Sequence, residues 1–136
     1  GLLGVSRDIT ERKAAAERLG AEERRARLLV AMDDATRTLE DPVEILATSM
    51  RLLREHLGAD RCVWAEVEPD EDHFVFRGAS CAPGVADVSG RYPVSAFGVE
   101  ALRAMRAGRS FVVDDAAAHL PAGADLAAYE ATGIRA

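Results

Sequence analysis

The first third of the chain carries charged and apolar residues in a helical pattern. Asp8 and Glu11 have the spacing of a capping box, which predicts a helix that begins near Ile9. No proline follows before Glu40, so this predicted helix is about 45 Å long at about 1.5 Å per residue. The apolar, glycine-spaced residues 1–6 before it are predicted to form a short strand.

The apolar side of this predicted helix changes along its length. Five of the first seven heptad a and d positions are apolar, which predicts a weak dimer seam, and Gly20 predicts a bend or a break. A later stripe has the spacing of a helix that packs on a core. The seam positions are Ile9, Arg12, Ala16, Leu19, Glu23, Ala26 and Val30, and the later stripe is Leu28, Met32, Ala35 and Leu39.

A second helix has clear start and stop signals. Asp41 is a favourable N-cap, Pro42 suits the first helical position, and Glu44 completes a capping box. Gly58 suits the left-handed residue that ends many helices. The predicted buried side consists of Ile45, Leu46, Leu52, Leu53 and Leu57.

After the second helix the pattern changes to strand-like alternation. Residues 61–67 and 73–78 flank the polar turn 68–72, which predicts an antiparallel hairpin with Phe74 and Phe76 on one face. A long loop over residues 78–90, functional or mobile, and a brief strand over 91–95 interrupted by Pro93 are predicted next. A short helix that bears Val99, Leu102 and Met105 follows and stops at Gly108. The last predicted elements are a strand over 110–115, a helix over 124–132 and the start of a strand over 133–136.

Composition and charge exclude several classes of protein. The chain of 136 residues has a net charge of −6, which argues against general nucleic-acid binding because that requires clustered Lys and Arg. It has no apolar run long enough for a membrane span and no signal-peptide pattern, so a cytoplasmic location is predicted. Outside a secretory context, Cys62 and Cys81 are predicted to be free thiols.

The first residues resemble part of a known signalling domain. The text GLLGVSRDITERK combines Gly-x-x-Gly spacing with Asp8-Ile9-Thr10 before a charged helix, and it resembles the C-terminal end of a PAS domain. The resemblance implies that residues 1–13 end a PAS domain. It also implies that residues 14–27 form the signalling linker helix that leaves that domain.

The rest of the chain, from about Arg25 to Ala136, resembles a GAF domain. The texts YPVSAFGVEALRAMRAGRSFVVDD and YEATGIRA are similar to GAF modules of bacterial multisensor histidine kinases of the HWE type. The resemblance implies an α+β fold over residues 28–136, with a GAF-like antiparallel sheet flanked by helices after the long N-terminal linker helix. It also implies that the final strands of the sheet are missing, which leaves an exposed edge that invites pairing with another copy.

In GAF domains the pocket lies between the sheet and the long loop with its short helices. The resemblance therefore implies a site for a small ligand. The residues themselves predict no catalytic residue and no metal ligand. The alternative interpretation is that the aromatic residues form the core and that Asp114 and Asp115 cap the following turn. The candidate lining residues are Trp64, Phe76, Tyr92, Phe97, Asp114 and Tyr129.

The chain lacks residues that several GAF relatives use. None of His56, His73 and His119 has a second ligand at metal-binding spacing, which argues against zinc and haem. Neither cysteine lies in a bilin-attachment motif, so a covalent bilin is not expected. Cys81 is the candidate nucleophile of a free methionine sulfoxide reductase, but no basic neighbour or resolving thiol activates it. Cyclic-nucleotide binding stays open, although the glycines form no phosphate-binding fingerprint.

These resemblances imply a non-enzymatic sensory module of a cytoplasmic two-component signalling protein, a histidine kinase. A ligand or partner would bias the GAF pocket, and the linker helix would pass a change of rotation or register to a homodimer formed through that helix. Two alternatives stay open. One is a passive dimerisation spacer, and the other is the input domain of a cyclic-di-GMP enzyme or a chemoreceptor.

Overall fold

The chain consists of two compact units, Gly1–Asp60 and Arg61–Ala136, in a computed structural model that describes residues 2–135, with side chains from residue 9 onward. The α+β class is confirmed, since the described residues form four α-helices, a 3₁₀-helix and a three-stranded antiparallel sheet. The predicted domain boundary between residues 27 and 28 lies within the first helix. The elements are α1 Leu2–Thr36, α2 Pro42–Leu57, β1 Arg61–Val67, β2 His73–Cys81, β3 Arg91–Pro93, the 3₁₀-helix Val94–Phe97, α3 Val99–Arg106 and α4 Leu126–Thr132.

Helix α1 begins and ends earlier than predicted. Residues 2–6 are helical, so the predicted strand is wrong, and Asp8 lies inside the helix instead of at its start. A strand needs a partner, and no described strand pairs with these residues, so they continue the helix that follows. Gly1 lies outside the described residues. The helix ends at Thr36, where the threonine hydroxyl donates a hydrogen bond to the carbonyl oxygen of Met32 at 2.7 Å.

The exposed surface of α1 includes the predicted seam. The helix is continuous through Gly20, so the predicted break does not occur. Ile9, Leu19 and Val30 are 59%, 66% and 61% exposed. In the later stripe Leu28, Met32 and Leu39 are half-buried, whereas Ala35 is exposed. Helix α1 contacts α2 within the first unit. None of the described helices is both long and apolar enough to cross a membrane.

Helix α2 has the bounds that the sequence signals predict. The carboxylate of Asp41 accepts a hydrogen bond at 2.9 Å from the backbone N–H two residues on, and Pro42 is the first helical residue. Gly58 ends the helix in the left-handed conformation, at φ 62° and ψ 27°. The buried residue of the helix is Met50, which the pattern did not single out, whereas the predicted Leu57 is exposed at the helix end.

The sheet has the strand order β1–β2–β3, with β1 and β3 at its edges. The predicted hairpin is confirmed, but β2 continues to Cys81, so the irregular loop covers residues 82–90 and buries Val88. A register shift between Trp64 and Ala65 marks an irregularity in the β1–β2 pairing. β3 ends at Pro93, where the chain enters the 3₁₀-helix.

Two predicted strands are absent from the described part of the chain. Residues 110–115 pair with no strand, and residues 133–135 are irregular, with Ala136 outside the described residues. The side chains of Phe111 and Val113 still pack against the core, whereas Val112 between them is exposed. The apolar run was therefore predicted to be a strand, but it has no ladder partner among the described strands.

The core of the second unit lies between the sheet and the short helices. Helix α3 buries Ala101 and Ala104, and the predicted Leu102 packs against the core, whereas the predicted Val99 and Met105 are exposed. Helix α4 is capped by Asp125, whose carboxylate accepts a hydrogen bond from the second residue of the helix at 3.0 Å. The buried cluster consists of Phe74, Val94, Phe97, Ala101, Ala116, Ala128 and Tyr129.

Candidate functional site

Five aromatic rings form one connected cluster in the second unit. Neighbouring ring centroids lie 5.2–6.4 Å apart, in edge, tilted and stacked arrangements that aromatic pairs favour. Four of the six candidate lining residues belong to this cluster, so the structure brings together most of the predicted set. The members are Phe74, Phe76, Tyr92, Phe97 and Tyr129.

Tyr129 connects helix α4 to the 3₁₀-helix. Its hydroxyl donates a hydrogen bond to the carbonyl oxygen of Phe97 at 2.9 Å, and its ring lies 5.3 Å from the Phe97 ring. Burial raises the pKa of the Tyr129 hydroxyl above its ordinary value. This hydroxyl therefore stays protonated at neutral pH and serves as a donor that holds the two elements together.

A cavity of about 440 Å³ lies against the face of the sheet that carries the phenylalanines. Its first wall consists of the strand residues Val63, Ala65, Val67, Phe74 and Phe76. Its second wall consists of Val94, Phe97, Ala101, Met105, Phe111, Val113, Tyr129 and Ile134. We call this space the aromatic cavity. None of these side chains is charged, and Tyr129 supplies the one polar side-chain atom among them.

A second cavity, of about 670 Å³, has a different character. Three acidic residues and one arginine are among the residues that line it: Asp114, Asp115, Glu130 and Arg135. The carboxylate of Asp115 accepts hydrogen bonds from the N–H groups two and three residues on, at 2.9 and 3.0 Å, so it caps the following turn. We call this space the acidic cavity. The predicted lining residue Asp114 is among the residues that line it. Tyr129 and Ile134 line both cavities.

Trp64 is separated from the other candidate residues. It lies on β1 between the cavity-lining Val63 and Ala65 and is 47% exposed. Because side chains of a strand alternate between faces, Trp64 is on the face of the sheet away from the aromatic cavity. Glu66 and Arg77 form an ion pair there, with Nε and Oε2 2.9 Å apart. Tyr92 belongs to the aromatic cluster but is not among the residues that line the aromatic cavity.

A polar cluster at the β1–β2 turn was missed by sequence reasoning. Potential ligand atoms of Glu68, Asp70 and His73 all lie within 4.8 Å of one another. Nδ1 of His73 lies 2.6 Å from Oδ2 of Asp70. The one local signal was the spacing of three residues between Asp70 and His73 across a predicted turn. Arg91, which completes the cluster, is 23 residues from Glu68 and could not be placed from sequence.

Arg91 already provides the positive charge that this cluster attracts. Its guanidinium donates to both carboxylate oxygens of Glu68, at 2.7–3.1 Å, and lies 3.6 Å from Asp70. The hydrogen bond from Arg91 lowers the pKa of Glu68, and the same bond raises the pKa of Arg91. The cluster therefore joins the β1–β2 turn to β3 through ion pairs, and Arg91 offsets one of its two carboxylate charges.

Asp70 makes the stability of this cluster depend on pH. Backbone N–H groups of His73 and Asp72, and then the His73 ring, lower the pKa of the Asp70 carboxyl from 3.8 to about 2. A lowered pKa in the folded state stabilises the fold fully above pH 3.8, and this stabilisation is lost as the pH falls to about 2.

We therefore expect Asp70→Asn to weaken the fold at pH 5 and to have a much smaller effect at pH 2, because asparagine keeps the acceptor oxygen and removes the charge. The measurement is the urea midpoint of both proteins at each pH. The control is Asp60→Asn, which changes an exposed carboxylate outside the cluster. A constant difference between wild type and Asp70→Asn across this pH range would contradict the assignment.

The two cysteines are free thiols on opposite faces of the hairpin. Cys62 pairs with Ser80, and Cys81 pairs with Arg61, so their side chains cannot meet across the strands. Burial raises the pKa of the Cys62 thiol, which lowers its thiolate fraction.

The side chain of Arg61 donates to the carbonyl oxygens of Ala86 and Thr132, so it joins the 82–90 loop to the end of α4.

Comparisons with protein-family models, with curated proteins and with solved structures gave no match for this chain.

Proposed function

We propose that this chain is a PAS-to-GAF sensory segment of a cytoplasmic signalling protein, a histidine kinase, and that it is not itself an enzyme. In this proposal a small ligand binds in the aromatic cavity of the second unit. Binding biases the packing of the short helices, and α1 passes the change to a homodimer as a rotation or a shift of register. The PAS and GAF assignments rest on the sequence resemblance.

The observation that carries the proposal is the aromatic cavity. It is concave and largely apolar, which are properties of small-molecule sites. Its lining residues include some from β1, β2, the 3₁₀-helix, α3 and α4 of the second unit. Tyr129 and Phe97 border it and are hydrogen-bonded to each other, so a ligand that moves one of them acts on both α4 and the 3₁₀-helix. The exposed apolar positions of α1, among them Ile9, Leu19 and Val30, supply a surface for the dimer.

A passive dimerisation spacer is the second candidate, and the exposed seam of α1 favours it. A spacer needs the seam but not the cavity. The two functions therefore differ in whether ligand occupancy accompanies the dimer.

Native mass spectrometry of the purified chain tests both candidates in one experiment. The sensory proposal expects a dimer that carries a defined additional mass. A bare dimer, unchanged by added small molecules, would support the spacer instead. A bare monomer at every protein concentration tested would contradict the α1 dimer and both candidates with it.

A further inference from the structure

We infer that the aromatic cavity selects an uncharged, ring-containing small molecule, an inference that rests on the proposed sensory function. The lining excludes a different class of ligand, the charged nucleotides and carboxylic acids. Charge, ring geometry and volume support this choice separately.

The first argument is the contrast in charge between the two cavities. The charged residues Asp114, Asp115, Glu130 and Arg135 are among those that line the acidic cavity. The aromatic cavity presents no charged side chain at all among its lining residues. Moving an ionised phosphate or carboxylate from water into such surroundings costs several kcal/mol unless a partner charge is present. A neutral ligand avoids that cost, so the uncharged lining favours a neutral ligand over a charged one.

The second argument is the arrangement of rings at the cavity. Phe74 and Phe76 meet edge to face at 5.2 Å, and Phe97 continues the series at 5.6 Å from Phe74. These rings present edges and faces in different orientations, which suits offset or edge contacts with another ring. A ring-containing ligand therefore gains contacts that a flexible chain of the same size would not.

The third argument is size. The volume of about 440 Å³ lies within the range of roughly 300–1,000 Å³ that is typical of ligand pockets. Strand residues line one side of the cavity, and Phe111 and Val113 are among the residues that line the other. One molecule with two or three fused or linked rings suits it.

The test uses N-phenyl-1-naphthylamine, a neutral fluorophore with several rings that brightens in apolar surroundings, and cyclic GMP as the charged comparison. We expect the purified chain to bind the fluorophore saturably at one site per chain and cyclic GMP to leave that binding unchanged. Val113→Trp, which fills the cavity, should weaken fluorophore binding at least about tenfold. The matched control is Val112→Trp, because Val112 is the exposed neighbour and does not line the cavity.

A second variant guards against a folding defect in the first. Met105 lines the cavity but is 56% exposed, so Met105→Glu places a charge at the opening with little burden on the fold. Met105→Glu should also weaken binding of the neutral fluorophore. Circular dichroism should show that both variants are folded.

Other results would overturn the inference. One is that cyclic GMP binds and that Val113→Trp removes this binding. Another is that the fluorophore does not bind saturably. A third is that fluorophore binding falls as the chain dimerises, which would mean that a second copy of the chain occupies the cavity. If native mass spectrometry then shows a retained charged molecule, the ligand class is wrong but the sensory function stands. If no small molecule is retained or bound, both fail.

Discussion

Replacing Gly98 by alanine is expected to lower the free energy of unfolding of the second unit by about 2–5 kcal/mol, from backbone strain and overpacking together. Gly98 is buried, and it ends the 3₁₀-helix and begins α3 at φ 112° and ψ 156°, a region that is essentially restricted to glycine. A Cβ atom there would lie 2.9 Å from Cβ of Pro121 and 3.3 Å from the carbonyl oxygen of Ala122.

The close approach at Gly98 is what aligns α3 with the segment before α4. The N–H of Val99 donates to the carbonyl oxygen of Ala122 at 3.1 Å, and the N–H of Asp125 donates to the carbonyl oxygen of Ala96 at 2.7 Å. A methyl group at Gly98 would separate these backbones and weaken both bonds. The loss should therefore exceed the strain of one unfavourable φ angle.

Gly108→Ala is the matched control for Gly98→Ala. Gly108 also has a positive φ, 64°, but a Cβ there would meet nothing within 4 Å. Its expected cost is the backbone term alone, about 1–2 kcal/mol. Urea unfolding followed by circular dichroism measures both variants. Equal shifts of the midpoint for the two substitutions would show that the packing at Pro121 does not matter.

Local signals predicted the elements whose boundaries are set by neighbouring residues. Asp41, Pro42 and Gly58 each act within one helical turn, and α2 has the predicted bounds. The hairpin was predicted for the same reason, since alternation on both sides of the 68–72 turn pairs β1 with β2. Prediction succeeded where a cap or a tight turn carries the information in a few residues.

Prediction failed where structure depends on a distant partner. Residues 110–115 contain the short apolar run of a strand, yet a strand also needs a ladder, and none of the described strands pairs with them. In α3 the predicted Leu102 packs against the core, but the predicted Val99 and Met105 are exposed, and the 121–124 segment approaches the start of the helix at Gly98. No pattern within α3 reports that approach.

The candidate site was predicted in part for the same reason. Phe76, Phe97 and Tyr129 were selected as aromatic residues of short elements, and the fold brings them to one cavity. Trp64 was selected by the same criterion, but the alternation along β1 places it on the opposite face. Residue type alone could not separate these cases; register could, once the position of the cavity was known.

Ala26→Pro is expected to weaken any α1 dimer by about 100-fold or more, because proline in a helix interior costs about 3 kcal/mol. Ala26 is an exposed d position of the seam, in the middle of a helix of 35 residues. Proline removes the backbone N–H at this position, and its ring clashes with the carbonyl group of Glu22, one turn earlier. The measurement is the dimer dissociation constant by analytical ultracentrifugation.

Ala26→Ser is the control, since it keeps the small side chain and the backbone N–H at the same seam position. In the full-length parent, Ala26→Pro should also abolish the dependence of output on ligand, because a kinked helix cannot carry a rotation or a shift of register past the kink. A proline variant that dimerises less but still responds to ligand would separate the two roles of α1. The helix would then be needed for assembly, and the signal would have to travel by another route.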